Sequence, residues 1–281
     1  KLVKDGIVDG WDDPRMSTIC GMRRRGYPAE ALVDFVNRVG VSKAYSVVDF
    51  SLLEACVREN LNQHAPRAMA VFHPLKVTID NYPDGASEML EVDINPNDES
   101  AGKKQISFSK DLYIEQDDFM EVPVKGYKRL TPDNEVRLKG AYFIKVKEIV
   151  KDGDGNVTEL ICTYDPASKG GNSPDGRKVK GTIQWVDANN ALSADVNMYE
   201  RLFLTSNPSG EDGETDIMEN LNPNSLTVLK DCKMDADLSN AAPGTTFQFM
   251  RNGYFTVDKY STPEKPVFNL TVTLKDSFNV K

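Results

Sequence analysis

The chemistry this sequence offers is that of cations and amides set beside aromatic rings. Arg23-Arg24-Arg25 stands between Gly21-Met22 and Gly26-Tyr27; Tyr127-Lys128-Arg129 precedes Val136-Arg137-Leu138-Lys139; Gln248 and Arg251 flank Phe249-Met250. Strand alternation places Arg137 and Lys139 on one face, where two cations can track phosphates or read base edges. Gln and Arg carry planar ends that match base edges, and aromatic rings stack on unpaired bases. A polyanion is the partner these residue types fit, and solvated strand charges are the alternative reading of each. Arg177-Lys178-Val179-Lys180 is the weaker signal and reads as the solvated start of a strand.

Other chemistries lack their residues. His64 and His73 are the only histidines, and neither has a Cys or second His at ligand spacing. Asp152-Gly153-Asp154-Gly155-Asn156 imitates the start of a calcium loop, yet Val157 and Thr163 stand where that loop needs Gly and Glu. Asp-Gly and Gly-Asn instead supply the positive φ of a hairpin turn. Cys20, Cys56, Cys162 and Cys232 are too scattered for a zinc or redox motif. No GxSxG, P-loop or GxGxxG precedes a helix. The chain is expected to bind rather than catalyse, with no catalytic residue and no metal ligand of its own.

The elements that position these residues divide into helices and strands. Pro28, the apolar spacing of Ala31, Leu32, Phe35, Val36 and Val39, and Gly40 predict one amphipathic helix. Ser51-Leu52-Leu53-Glu54 reads as a capping box opening a second helix, which continues through Cys56, Val57 and Leu61 and stops before Pro66. Beyond Pro66 the pattern is mainly β. Leu75 to Ile79 alternates; Tyr142 to Val150 and Val157 to Tyr164 form a hairpin; 179–186, 226–230, 247–250, 254–257 and 267–274 supply further strands. About a dozen short strands predict barrels or sandwiches. Ala167 to Gly176 and Asn207 to Thr215 read as mobile polar loops.

At 281 residues the chain has room for about two domains. Its 34 Lys and Arg against 43 Asp and Glu give a net charge of −9, which disfavours a general polybasic binder but not a local patch. The N-terminus has no apolar stretch of a signal peptide, and no window is apolar enough to span a membrane. A cytoplasmic location is expected.

Eight ordered blocks carry a family likeness: Gly10 to Met16, Gly21 to Tyr27, Ala65 to Val71, Tyr127 to Arg129, Glu135 to Leu138, Asp175 to Gly181, Phe247 to Phe249 and Glu264 to Asn269. Together they resemble the glutaminyl-tRNA synthetases over essentially the whole chain. The resemblance implies an N-terminal α-helical segment followed by two antiparallel β-barrels of the ribosomal L25-like, anticodon-binding architecture. It assigns 1–65 to a helical connecting subdomain, 66–115 and 195–281 to a proximal barrel, and 116–194 to a distal barrel. The HIGH and KMSK motifs are not in the sequence, so the expected chain is the C-terminal part of the enzyme, inactive alone. ATP and magnesium would belong to the catalytic domain of the parent, which ligates glutamine to tRNA-Gln.

By the same resemblance, Arg67, Gln248 and Arg251 match readers of the middle uracil, and Lys128, Arg129, Arg137 and Lys139 match positions near the flanking bases. Arg23, Arg24 and Arg25 then fall in the helical segment, suited to the tRNA backbone or to packing. Gly126 stands where relatives often have Gln, Lys139 where they often have Arg, and Gln184 where they often have His. Lys lacks the bidentate fork of Arg, which loosens readout at that base. The expected partner is tRNA-Gln, with no DNA, no membrane and a monomeric state. Alternatives are a β-barrel-type glutamyl enzyme, disfavoured by Asn81-Tyr82-Pro83 and the triple-arginine block, an L25-like rRNA scaffold, in which the helices have no place, and a sugar- or protein-binding sandwich, which leaves the arginines unexplained.

Overall fold

Thr18 opens the first helix, Ile19–Arg25, by accepting a hydrogen bond from the Gly21 amide at 2.9 Å. The computed structural model describes residues 1–40, 43, 48–173, 175–210 and 213–275. Gly26 ends this helix at φ +92°, its amide reaching Arg23 O while the Tyr27 amide reaches Met22 O. A Cβ at Gly26 would lie 1.7 Å from Thr256 Oγ1, so glycine is required by packing as well as by backbone conformation. The second helix, Ala29–Val39, has Pro28 as N-cap and Gly40 as C-cap, close to the limits expected from sequence.

The third helix, Phe50–His64, starts earlier than its sequence suggested. Asp49, not Ser51, is the cap: its carboxylate accepts from the Ser51 amide at 2.8 Å. Leu53, Cys56, Val57 and Leu61 face inward and meet Tyr27, Ala31, Tyr254 and Val272 in one apolar cluster.

Contacts group the chain into two units. The first comprises Lys1–Arg67, Asp195–Lys230 and Asn240–Lys281; the second comprises Ala68–Ala194 and Asp231–Ser239. In the first, the wholly buried strand Gly253–Val257 pairs antiparallel with Thr246–Phe249 on one side and Val267–Val272 on the other, and the latter runs parallel to Leu192–Tyr199. Phe249 stacks on Phe255 with ring centroids 4.7 Å apart.

In the second unit the strand order is Thr182–Ile183, Glu135–Leu138, Phe143–Lys151, Val157–Asp165, Pro74–Ile79, Asp111–Glu115, Val186–Asp187. Its two end strands are successive pieces of one short segment. Thr182 and Ile183 pair parallel with Arg137 and Leu138, while Val186 and Asp187 pair antiparallel with Tyr113 and Leu112, so residues 182–187 curl the sheet into a barrel. Trp185, fully buried at that closure, meets Phe108 edge-on at 5.2 Å. Gln184 beside it is also buried, and its amide Oε1 and Nε2 have no hydrogen-bond partner among the described residues. The ribbon Ser87–Asp93 with Lys103–Ser109 forms a separate two-stranded sheet.

The chain is mainly β, with the α-helices of the described residues gathered near its N-terminus. The continuous strand expected over 179–186 is broken, because Gly181 takes φ +94° and packs where a Cβ would lie 2.0 Å from the Lys128 carbonyl oxygen. Residues 152–156 form the expected turn, with Asp152 Oδ1 accepting from the Asp154 and Asn156 amides at 2.9 Å each. The loop at 167–176 is anchored: Ser168 is fully buried, accepts from the Phe143 amide at 2.8 Å and donates to Asp165 O at 2.6 Å. Pro174 of that loop, and Glu211 and Asp212 of the loop at 207–215, lie outside the described residues.

Candidate nucleic-acid interface

The sequence-selected cations of the first unit differ sharply in availability. Arg25 is buried, its guanidinium donating to the carbonyls of Thr271, Pro14 and Tyr199 at 3.1, 3.4 and 3.4 Å. Arg24 pairs with Asp258 at 3.0 Å and lies 5.0 Å over the Tyr260 ring. Arg23 alone of the three is exposed. Successive residues of a helix point about 100° apart, so a run of three cannot share one face.

Arg67 is 8% exposed. It follows the C-terminus of the third helix, where carbonyls are left without intrahelical donors, and its guanidinium donates to Ala65 O and to Asn62 O, the latter at 2.8 Å. Burial pushes it below the usual arginine range, with Tyr254 opposing. Gln248 extends from Thr246–Phe249, its amide donating to Pro66 O at 2.9 Å. Its side-chain Oε1 is buried and has no hydrogen-bond partner among the described residues. Arg251 is exposed in the turn between this strand and the next, at φ +68°. Thus Gln248 and Arg67 stand on adjacent chain segments, and Arg251 caps the same hairpin.

The second unit carries the other cluster. Val136 and Leu138 are buried while Arg137 and Lys139 face the other side, as alternation required, although Lys139 lies one residue past Glu135–Leu138. Arg137 Cζ lies 5.3 Å from the Phe143 ring, and its Nε has no hydrogen-bond partner among the described residues. Arg129 is held by Asp117 O at 3.1 Å and Asp118 at 3.3 Å. Lys128 is exposed, next to Tyr127, whose hydroxyl donates to Asp117 O at 2.9 Å. Gly126 sits at φ +91° in the preceding turn, with open space around it.

These groups can bind anions and donate to planar acceptors. No cluster of three or more His, Cys, Asp and Glu able to hold a metal occurs among the described residues. No described helix is long and apolar enough to cross a membrane.

Comparison with known proteins identifies the family of the chain. Residues 65–165 match a family model described as tRNA synthetases class I (E and Q), anti-codon binding domain, and residues 182–258 match a second model of that description. Residues 1–63 match the model for the catalytic domain of the same enzymes. The chain belongs to the class I tRNA synthetases of the E and Q type. It is 52% identical to a glutamine-tRNA ligase of Clostridium perfringens, with all of this chain and 50% of that protein covered. Ligases of the same name from Bradyrhizobium diazoefficiens and Pseudomonas syringae are 51% and 48% identical over 99% of the chain and 49% of their own lengths. The chain spans about half the length of the curated relatives it matches.

Within this synthetase chain, Arg177, which the sequence presented as the solvated start of a strand, is instead tied down. Its guanidinium meets Glu135 at 2.9 Å, Asp165 at 2.5 Å and Asp175 at 2.7 Å, and its Cζ lies 5.2 Å from the Phe143 ring that Arg137 also covers. Hydrogen bonds from Ser173 and Arg177 pull the Asp175 carboxyl down to about 2. The other flank of Arg137 is closed by Gly171, at φ +85°, where a Cβ would fall 2.7 Å from Arg137 Cδ. Two acidic residues shortly before and after a polar Gly-Ser loop were the available signal.

Proposed function

We propose that this chain recognises the anticodon of tRNA-Gln and serves as that part of a longer glutaminyl-tRNA synthetase, whose full reaction is ATP-dependent ligation of glutamine to the tRNA. The observation that carries this reading is the fit between the two anticodon-binding matches, 65–165 and 182–258, and the candidate readers. Arg67, Lys128, Arg129, Arg137 and Lys139 fall in the first, and Gln248 and Arg251 in the second.

The assignment of bases follows from donors and acceptors. Uracil presents one N–H donor between two carbonyl acceptors. Gln248 Oε1, a buried acceptor without a partner among the described residues, suits the N–H; Arg67 and Arg251 suit the carbonyls. Arg129, Arg137, Lys128 and Lys139 serve the flanking nucleotides, with Lys139 acting as a point charge where Arg would form a fork. Arg23 is the member of the triple-arginine run left to meet the tRNA backbone. The chain acts as a monomer in the cytoplasm. ATP and magnesium are held by the parent, and no residue described here is assigned to them.

A binding titration tests the reading. An anticodon hairpin of tRNA-Gln is expected to bind tighter than one with the middle base changed, and Arg67→Ala to erase about 1–3 kcal/mol of that difference, by analogy with base-edge contacts to DNA. Equal binding of the two hairpins at moderate salt would overturn it.

A further inference from the structure

A groove of about 280 Å³ in the second unit is lined by Tyr127, Lys128, Asn134, Glu135, Lys178 and Lys180. We propose that this groove is a channel for the phosphates of a single RNA strand, with Lys178 and Lys180 supplying affinity without sequence choice. The inference rests on the reading above that RNA is the ligand of this unit, and it extends the interface to two residues that the sequence alone presented as solvated.

Four observations carry it. Lys178 and Lys180 are exposed on either side of half-buried Val179, and Cα atoms two apart in the chain stand at most about 7 Å from each other, a span that reaches successive phosphates. Secondly, Lys128, Lys178 and Lys180 make no ion pair among the described residues, whereas the neighbouring Arg129 and Arg177 do. Thirdly, the one acidic side chain in the lining, Glu135, is paired with Arg177 at 2.9 Å, so it does not cancel the lysines.

Finally, the walls are fixed before any ligand arrives. Asn134 donates to Arg129 O at 2.8 Å and accepts from the Thr131 amide at 2.8 Å. Gly181 at φ +94° lets the lysine-bearing segment press against the Lys128 carbonyl. Strongly hydrated ammonium groups on flexible stems suit phosphate oxygens, while the planar readers, Arg129 and Arg137, lie outside this lining.

The test measures binding of the whole chain to the tRNA-Gln anticodon hairpin and its middle-base variant between ~50 and ~200 mM salt. Lys178→Ala/Lys180→Ala is compared with the unaltered chain and with Lys230→Ala, at an exposed lysine elsewhere. The double variant is expected to weaken both hairpins by the same several-fold factor and to lower the salt slope by about 0.7 per lysine, with an unchanged melting temperature. Lys230→Ala leaves affinity and slope in place. An unaltered slope in the double variant overturns the groove proposal, as does a loss confined to one hairpin, which assigns the lysines to base reading. If the unaltered chain binds neither hairpin, the anticodon reading itself falls, and the groove with it; if it binds and discriminates while the double variant matches it, the groove alone falls.

Discussion

Arg251 occupies a backbone conformation, φ +68°, that costs an L-residue about 1 kcal/mol and glycine nothing. That cost falls on the backbone, and glycine at the position would relieve it. Arg251→Gly is expected to raise the urea midpoint slightly while weakening hairpin binding and its dependence on the middle base. A variant that loses stability and keeps discrimination would contradict the assignment. Asp13 shows the opposite economy. It is 2% exposed and accepts from the Asp9 and Arg15 amides and from the Arg15 guanidinium at 2.8–3.0 Å. Burial would raise its carboxyl, but these hydrogen bonds outweigh it and hold the group below its ordinary range. A carboxyl lowered on folding contributes stability above its unfolded value, near ~4, that is lost as pH falls toward the folded one. Asp13→Asn is thus expected to destabilise by about 2–3 kcal/mol at neutral pH, with the gap to the unaltered chain closing as urea titrations move below pH ~4.

The loop between the strands Val157–Asp165 and Thr182–Ile183 behaves as a support for one reader. Phe143 lies under the Arg137 guanidinium and Gly171 against its stem, and the Arg177 ion pairs tie the loop ends to Glu135 on the same strand. Arg177→Ala is expected to reduce discrimination at the flanking base proposed for Arg137 by a larger factor than it reduces overall affinity, with Arg177→Lys restoring only part of it. Gly171→Ala meets both a steric contact at 2.7 Å and an unfavourable φ, and lowers the melting temperature as well. The sequence showed this loop only as polar, because its anchor is Ser168 receiving an amide from Phe143, a partner 25 residues away. Local signals were legible where they were self-contained: Pro28, an apolar stripe and Gly40 mark a helix whatever surrounds it. The start of the third helix was misplaced because Ser51 with Glu54 imitates a capping box, while Asp49 is the residue that caps it. The fate of Arg23, Arg24 and Arg25 was illegible for a different reason, since identical residues are sorted only by which side of a seven-residue helix meets Asp258 and Thr271 O.

At the scale of the molecule, the net charge of −9 and the local cation clusters answer different questions. Repulsion by the average surface suppresses indiscriminate binding, while counterion release depends only on the charges that meet phosphates. Duplex DNA of hairpin length is expected to bind no tighter than ~10⁻⁴ M at physiological salt, measured by competition against the labelled hairpin; DNA displacing it at micromolar levels would contradict this division. The same scale governs the consequence of residues 182–187 supplying both end strands of one sheet. An ordinary open sheet offers two unpaired edges to other chains and must guard each separately. Here a single six-residue stretch shields both, so loss of its pairing would bare two edges at once and leave a unit prone to aggregate.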